Sequence, residues 1–161
     1  MIKKFNLYFL TLFSIGKIKY APGTIASLIA CLFSLFFINL FNISVLFLLV
    51  LIIFCYSFVA INHSYETFDS EDPQEIVIDE FVGQILPLLA IPIYETLYPI
   101  PEIYYFVAAF ILFRLFDILK PYPINYVDNN VKGIIGIMLD DVLAGTYSFI
   151  VLTLVFFLIG G

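Results

Sequence analysis

The chain has 161 residues, of which 63% are apolar and 12% charged, with a mean hydropathy of +1.08. Water-soluble domains run near half apolar and a quarter charged, so a bilayer is the natural solvent for this composition. Thirteen acids against seven bases leave a formal charge of −6, which excludes nucleic acid as a partner because phosphate backbones need basic patches.

Lys3 and Lys4 precede an apolar stretch that is broken by Asn6, Thr11 and Ser14 and followed by Lys17 and Lys19. No small-x-small cleavage pattern follows, so residues 5–15 are expected to be a retained interfacial helix rather than a signal peptide. A bilayer-crossing helix needs about 20 apolar residues. Five segments qualify in whole or in part: residues 25–40, 43–61, 81–94, 103–116 and 142–159. The first, third and fourth are short, so tilt or incomplete crossing is expected of them. The first span opens on Pro22, Gly23, Thr24 and Ser27. Such a turn at a helix start can offer N–H groups and hydroxyls to an anion, or Thr24 can serve as a plain cap. Cys31 and Cys55 lie inside apolar runs without ligand-type neighbours and read as packing residues.

Residues 62–80 hold seven acids and no lysine or arginine. Glu66, Glu71 and Glu75 read as solvated loop. Asp79 and Glu80 differ, because apolar residues flank them at a span entrance, where charge is costly unless paired or ligating. A favourable helix dipole is the structural alternative for that pair. His63, the lone histidine, reads more readily as structural than as catalytic. Arg114, Asp117 and Lys120 are spaced three apart, which places them on one helical face at the end of the fourth span, before Pro121 and Pro123 stop the helix. They form either an ion-pair ladder or a phosphate clamp in which Arg114 forks onto phosphate oxygens, Lys120 adds a point charge and Asp117 turns toward metal. Asp128 follows, then glycines at 133 and 136, then Asp140 and Asp141 where the last span is expected to begin. Gly83, Ala144 and Gly145 are small enough to let the third and last spans approach and bring the acid pairs together.

If all five segments cross, every lysine and eleven of the thirteen acids share one side, with Arg114 just inside it. The basic bias makes that side cytoplasmic. Hard carboxylates in such number suit Mg²⁺, which takes oxygen ligands together with substrate phosphate, and bound cation inverts the sign of the acidic site. Metal-assisted hydrolysis of a lipid phosphate is the chemistry this pattern points to.

Four blocks then resemble the phosphatidylglycerophosphatase A family: residues 21–27 (Ala-Pro-Gly-Thr-Ile-Ala-Ser), 76–83 (Ile-Val-Ile-Asp-Glu-Phe-Val-Gly), 113–124 (Phe-Arg-Leu-Phe-Asp-Ile-Leu-Lys-Pro-Tyr-Pro-Ile) and 136–145 (Gly-Ile-Met-Leu-Asp-Asp-Val-Leu-Ala-Gly). The resemblance implies Mg²⁺-dependent removal of the terminal phosphate of phosphatidylglycerophosphate at the inner leaflet of a bacterial cytoplasmic membrane. Its acidic motif residues fall on Asp79, Glu80, Asp117, Asp128, Asp140 and Asp141, and Arg114 and Lys120 match as well. One departure is Ile134 after Gly133, where the family usually carries Gly-Gly.

The expectation is an all-α, polytopic membrane bundle of about five spanning or partly spanning helices, a single domain over residues 1–161. Asp79, Glu80, Asp140 and Asp141 are assigned to metal, with Asp117, Asp79 and Asp141 catalytic. Arg114, Lys120, Thr24, Ser27 and Asp128 are assigned to an anionic phospholipid substrate. Attack by water is preferred, and a covalent route through Asp117 stays open. The alternatives are a phosphatase for another lipid phosphate such as phosphatidate and, from a different class, a cation transporter. Against the transporter, no span carries a charge near its centre.

Overall fold

The computed structural model describes residues 2–68, 73–92 and 101–160, which form seven α-helices and no strand. They are α1 (Ile2–Leu10), α2 (Pro22–Leu40), α3 (Ile43–Ser64), α4 (Ile78–Leu88), α5 (Glu102–Leu119), α6 (Ile124–Asn130) and α7 (Ile134–Gly160). Asp69, Glu71 and Asp72 of the acidic loop lie outside the described residues, as do the expected end of the third span at 93–94, Glu95 and Pro99.

Among the described residues, three helical stretches are long and apolar enough to cross a bilayer: Pro22–Leu40, Ile43–Thr67 and Ile134–Leu158. Pro22 occupies the first turn of α2, where its missing N–H costs nothing. Asn42 caps α3 by accepting from the Ser44 N–H at 3.0 Å, so the polar pinch between the first two spans is a helix start. Large side chains such as Leu32, Phe36, Phe47, Leu51, Leu154 and Phe157 point outward. Exposed apolar area on that scale is stable only against lipid. Three buried hydroxyls are satisfied inside their own helices: Ser27, Ser57 and Ser148 each donate at 2.8 Å to the carbonyl four residues back.

The third expected span has a different shape. α4 has eleven residues, a length of about 16 Å, roughly half the hydrocarbon thickness. Nine of the eleven are buried, so it is a central post rather than a lipid-facing span. It packs on α7, α2, α5 and α3. The last span begins eight residues earlier than expected, at Ile134, which puts Asp140 and Asp141 in the second turn of α7 rather than at its start. Gly133 makes the reversal before α7 with φ 72, and Ile134 is already helical, so the position after Gly133 has no need of a second glycine. α5 ends at Leu119 with Lys120 in the left-handed region (φ 41) ahead of Pro121.

The N-terminal helix has other bounds than the expected 5–15. α1 runs from Ile2 to Leu10 and docks on α3, where buried Asn6 Oδ1 accepts from the Tyr56 hydroxyl at 2.8 Å and Phe9 meets the Tyr56 ring edge-on. Thr11 ends the helix by donating its hydroxyl to Leu7 O while accepting from the Ser14 N–H. The Val77 N–H then donates to Leu10 O at 3.0 Å, tying the end of α1 to the residue before α4.

α4 and α7 cross at Gly83 and Gly145. A Cβ on Gly145 would lie 2.2 Å from Gly83 O, and one on Gly83 would lie 2.6 Å from Asp141 O. Both atoms are backbone and have no way to give. Gly145→Val is therefore expected to destabilise the protein by about 1–3 kcal/mol, a drop of roughly 3–10 °C in the detergent melting temperature. The outward Leu154→Ala should stay within about 0.5 kcal/mol of the parent. Equal melting temperatures for Gly145→Val and the parent would show that the crossing is looser than described.

Candidate active site

Three carboxylates converge where α4 meets α7. Asp79 and Glu80 form the first turn of α4, and Asp141 comes across from α7. One oxygen from each lies within 4.8 Å of the others. Asp79 and Asp141 are 8% and 4% exposed, so this is a cluster of buried like charges rather than a solvated face. The Glu80 N–H donates to Asp79 Oδ1 at 3.0 Å, which fixes one carboxylate against the helix start. Glu80 reaches toward α2, where a Cβ on Gly23 would stand 2.0 Å from Glu80 Oε1. A side chain at position 23 would push that carboxylate aside. Glu80 Oε2 is buried and has no hydrogen-bond partner among the described residues.

Two cations stand beside the acids, and they behave differently. Arg114 Nη1 lies 2.7 Å from Asp117 Oδ2. Although close, this contact is not directed along an N–H, and Nε and Nη1 remain buried without a hydrogen-bond partner among the described residues. Asp117 is in turn within hydrogen-bonding reach of Asp141. Lys120 does not extend the Arg114–Asp117 ladder. Its left-handed backbone turns the side chain to Asp128 on α6 and to Asp140 on α7, the latter at 2.7 Å. One ammonium thus clasps three elements.

These groups line a cleft of about 500 Å³. Its walls include six carboxylates (Asp79, Glu80, Asp117, Asp128, Asp140 and Asp141) against three cations (Arg114, Lys120 and Lys132). Like charges packed this closely and this deeply need a cation or protons to neutralise them. A set of hard oxygen donors with one buried oxygen unengaged fits a divalent metal. Thr24 lines the cleft at the start of α2, but it is not the cap. That position is Ala21, with no side-chain bond. Ser27 lies off the cleft wall with its hydroxyl committed to Gly23 O. His63 is exposed and bonded to Val59 O, away from the cleft. Sequence reasoning passed over Lys132, which lines the cleft, and Gln84, whose amide is fully buried one turn beyond Glu80 without a partner among the described residues. The i, i+4 spacing of Glu80 and Gln84 was the available signal.

The sequence model of the phosphatidylglycerophosphatase A family matches residues 8–156. The chain belongs to this family. Three relatives align over most of their own length. A Bacteroides thetaiotaomicron protein, provisionally named a phosphatidylinositol-3-phosphatase, is 38% identical over 92% of this chain and 91% of its own. The phosphatidylglycerophosphatase A of Haemophilus influenzae is 36% identical over 86% and 81%, and that of Escherichia coli 32% over 84% and 74%. No solved structure matches. In this phosphatidylglycerophosphatase A family member, all four sequence blocks contribute to the one cleft: Gly23 and Thr24, Asp79 and Glu80, Arg114 to Lys120, and Asp140 and Asp141. Family membership and the apolar helices together make it a membrane protein with a lipid phosphate as the fitting substrate class.

Burial works against the Lys120 ammonium, but the bonds from Asp128 and Asp140 outweigh it and hold its pKa above the ordinary lysine value. A cation whose folded pKa is raised contributes stability that is fully present below the unfolded pKa, about 10, and is lost only as pH climbs through the folded value. Lys120→Met leaves two carboxylates unpaired and should cost about 1–3 kcal/mol. The difference in melting temperature between parent and variant should be the same at pH 7 and pH 9. A difference that shrinks between those two values would contradict the clasp.

Proposed function

We propose that the protein is a Mg²⁺-dependent lipid phosphatase that hydrolyses phosphatidylglycerophosphate to phosphatidylglycerol and phosphate, at the cytoplasmic face of a bacterial inner membrane. The observation that carries the reading is the buried Asp79, Glu80 and Asp141 cluster, with Arg114, whose Nε and Nη1 have no hydrogen-bond partner among the described residues, lining the same cleft. Asp79, Glu80 and Asp141 are the residues to hold the metal, whose chemistry when bound is to neutralise phosphate charge and to acidify water. Arg114 uses its free N–H groups on the phosphoryl oxygens, a planar fork matched to that geometry. Asp117, beside both Arg114 and Asp141, orients the guanidinium and accepts the proton of the attacking water. The water oxygen bonds to phosphorus as the bond to the glycerol oxygen breaks, and the leaving alkoxide takes up a proton. Lys120 is engaged with Asp128 and Asp140, so we assign these three to holding the cleft wall rather than to the phosphate or the metal.

A second substrate is supported by the name of the Bacteroides relative. Phosphatidylinositol 3-phosphate and phosphatidylglycerophosphate share a phosphomonoester on a headgroup joined to diacylglycerol through a phosphodiester. Phosphate release from each lipid by the purified protein, with Mg²⁺ and after chelation, separates the two. Asp141→Asn should lower the rate by about 100-fold or more on the true substrate, as loss of a group acting on transition-state charge does. Arg114→Lys keeps the charge but loses the fork, and a fall of roughly 10- to 100-fold is expected. Metal-independent release, or full activity in Asp141→Asn, would defeat the proposal.

A further inference from the structure

Gln84 is a buried polar group that the reaction above leaves without a task. It lies one turn beyond Glu80 on α4 and is fully buried, and neither Nε2 nor Oε1 has a hydrogen-bond partner among the described residues. A primary amide sealed from water with both ends unbonded is among the costlier groups a fold can carry. Glu80, Gln84 and Leu88 form one i, i+4, i+8 stripe of α4. At its outer end, a Cβ on Gly23 of α2 would meet Glu80 Oε1 and stand 3.4 Å from Arg114 Nη1 of α5. At its inner end, Leu88 shares a buried apolar cluster with Cys31 of α2 and with Tyr105 and Ala109 of α5. Gln84 therefore sits in the seam between α2 and α5, with apolar packing on one side and the acid cluster on the other.

Two features aim the amide at Glu80. Helical side chains lean toward the N-terminal turn, and residues four apart stand one above the other, so the end of Gln84 lies over the turn that carries Glu80. The chemistry matches as well: Glu80 Oε2 is a buried acceptor without a partner, and Gln84 Nε2 is a buried donor without one. The unengaged N–H groups of Arg114, by contrast, have the phosphate to meet. We propose that Gln84 is a positioning residue for the metal: with a divalent cation in the cluster, Gln84 Nε2 donates to Glu80 Oε2 and holds that carboxylate toward the ion. The assignment rests on the metal-dependent reading above. A carboxylate oxygen has two lone pairs, so Oε2 can meet the ion and the amide together. Hydrogen-bond partners behind a metal ligand account for about 10- to 100-fold in metal affinity. The strain of the unbonded amide belongs to the metal-free protein and is relieved on loading.

The test measures Mn²⁺ binding to the full chain in detergent, without lipid, from the electron paramagnetic resonance signal of the free ion. The melting temperature in EDTA is taken alongside. Gln84→Met keeps the length of the side chain and removes both bonding ends. It should raise the Mn²⁺ dissociation constant about fivefold or more, yet melt in EDTA at or above the temperature of the parent. An amide that only held the seam together could not do both. Ser34→Ala is the control, because Ser34 Oγ is also buried and unpartnered but lies eleven residues past Gly23 on α2, about 16 Å deeper. Its dissociation constant should stay within about twofold of the parent's. An unchanged constant in Gln84→Met overturns the assignment. So does weaker binding that comes with a lower melting temperature or a failure to fold, or equal weakening in Ser34→Ala. A parent protein that binds no Mn²⁺ overturns the metal reading of the cluster itself, and the role of Gln84 falls with it.

Discussion

Buried carboxylates repel one another, and α4 and α7 can hold Asp79, Glu80 and Asp141 together only because their backbones are in contact one turn further in. Gly83 and Gly145 supply that contact, and no side chain fits between them. Tight packing here sets the distance between the acids, and the distance sets what the cluster can bind. The rest of the bundle follows from keeping this crossing in place. α2 closes one side of α4 through Gly23, and α5 brings Phe113 against Gly83 and Arg114 toward Glu80. The short α1 steadies the approach to α4 through the Leu10–Val77 hydrogen bond.

The charges divide into two sets with different work. Lys120, Asp128 and Asp140 satisfy one another and stitch α5, α6 and α7 together. Asp79, Glu80, Asp117, Asp141 and Arg114 leave net negative charge in the cleft, with Glu80 Oε2 and Arg114 Nε and Nη1 lacking a hydrogen-bond partner among the described residues. That imbalance is expensive in a low-dielectric setting, and it is the reason to look for a ligand there. Two neighbouring acids in sequence, Asp140 and Asp141, fall into different sets because adjacent residues on a helix point about 100° apart.

Much of this was legible from residue order alone. The all-helical membrane character followed from hydropathy, the grouping of the acid pairs from small residues at 83 and 145, and the family from four short blocks. What could not be read was tertiary. Nothing in the run from Phe81 onward distinguishes a spanning helix from a half-length post, because both are continuously apolar. The start of α7 was missed because the last span was expected to begin only at Asp140 and Asp141, after the glycines at 133 and 136. In the structure Gly136 is a helical residue packed against Val131 O. Lys120 was expected on the face of Arg114, and one left-handed residue at the helix end redirected it.

The half-length of α4 has a consequence for biogenesis. A segment of about 16 Å cannot cross a bilayer by itself, and although Arg114 of α5 reaches Glu80 earlier, the acid cluster lacks Asp141 until α7 is made. During synthesis the ribosome delivers Asp79 and Glu80 some sixty residues before Asp141, so the centre exists in two unmatched halves while the intervening chain emerges. Insertion of the final helix is then the event that both seats the post and completes the acid cluster. A chain truncated before α7 is left not merely inactive but with a charged, poorly anchored helix, a natural target for membrane quality control.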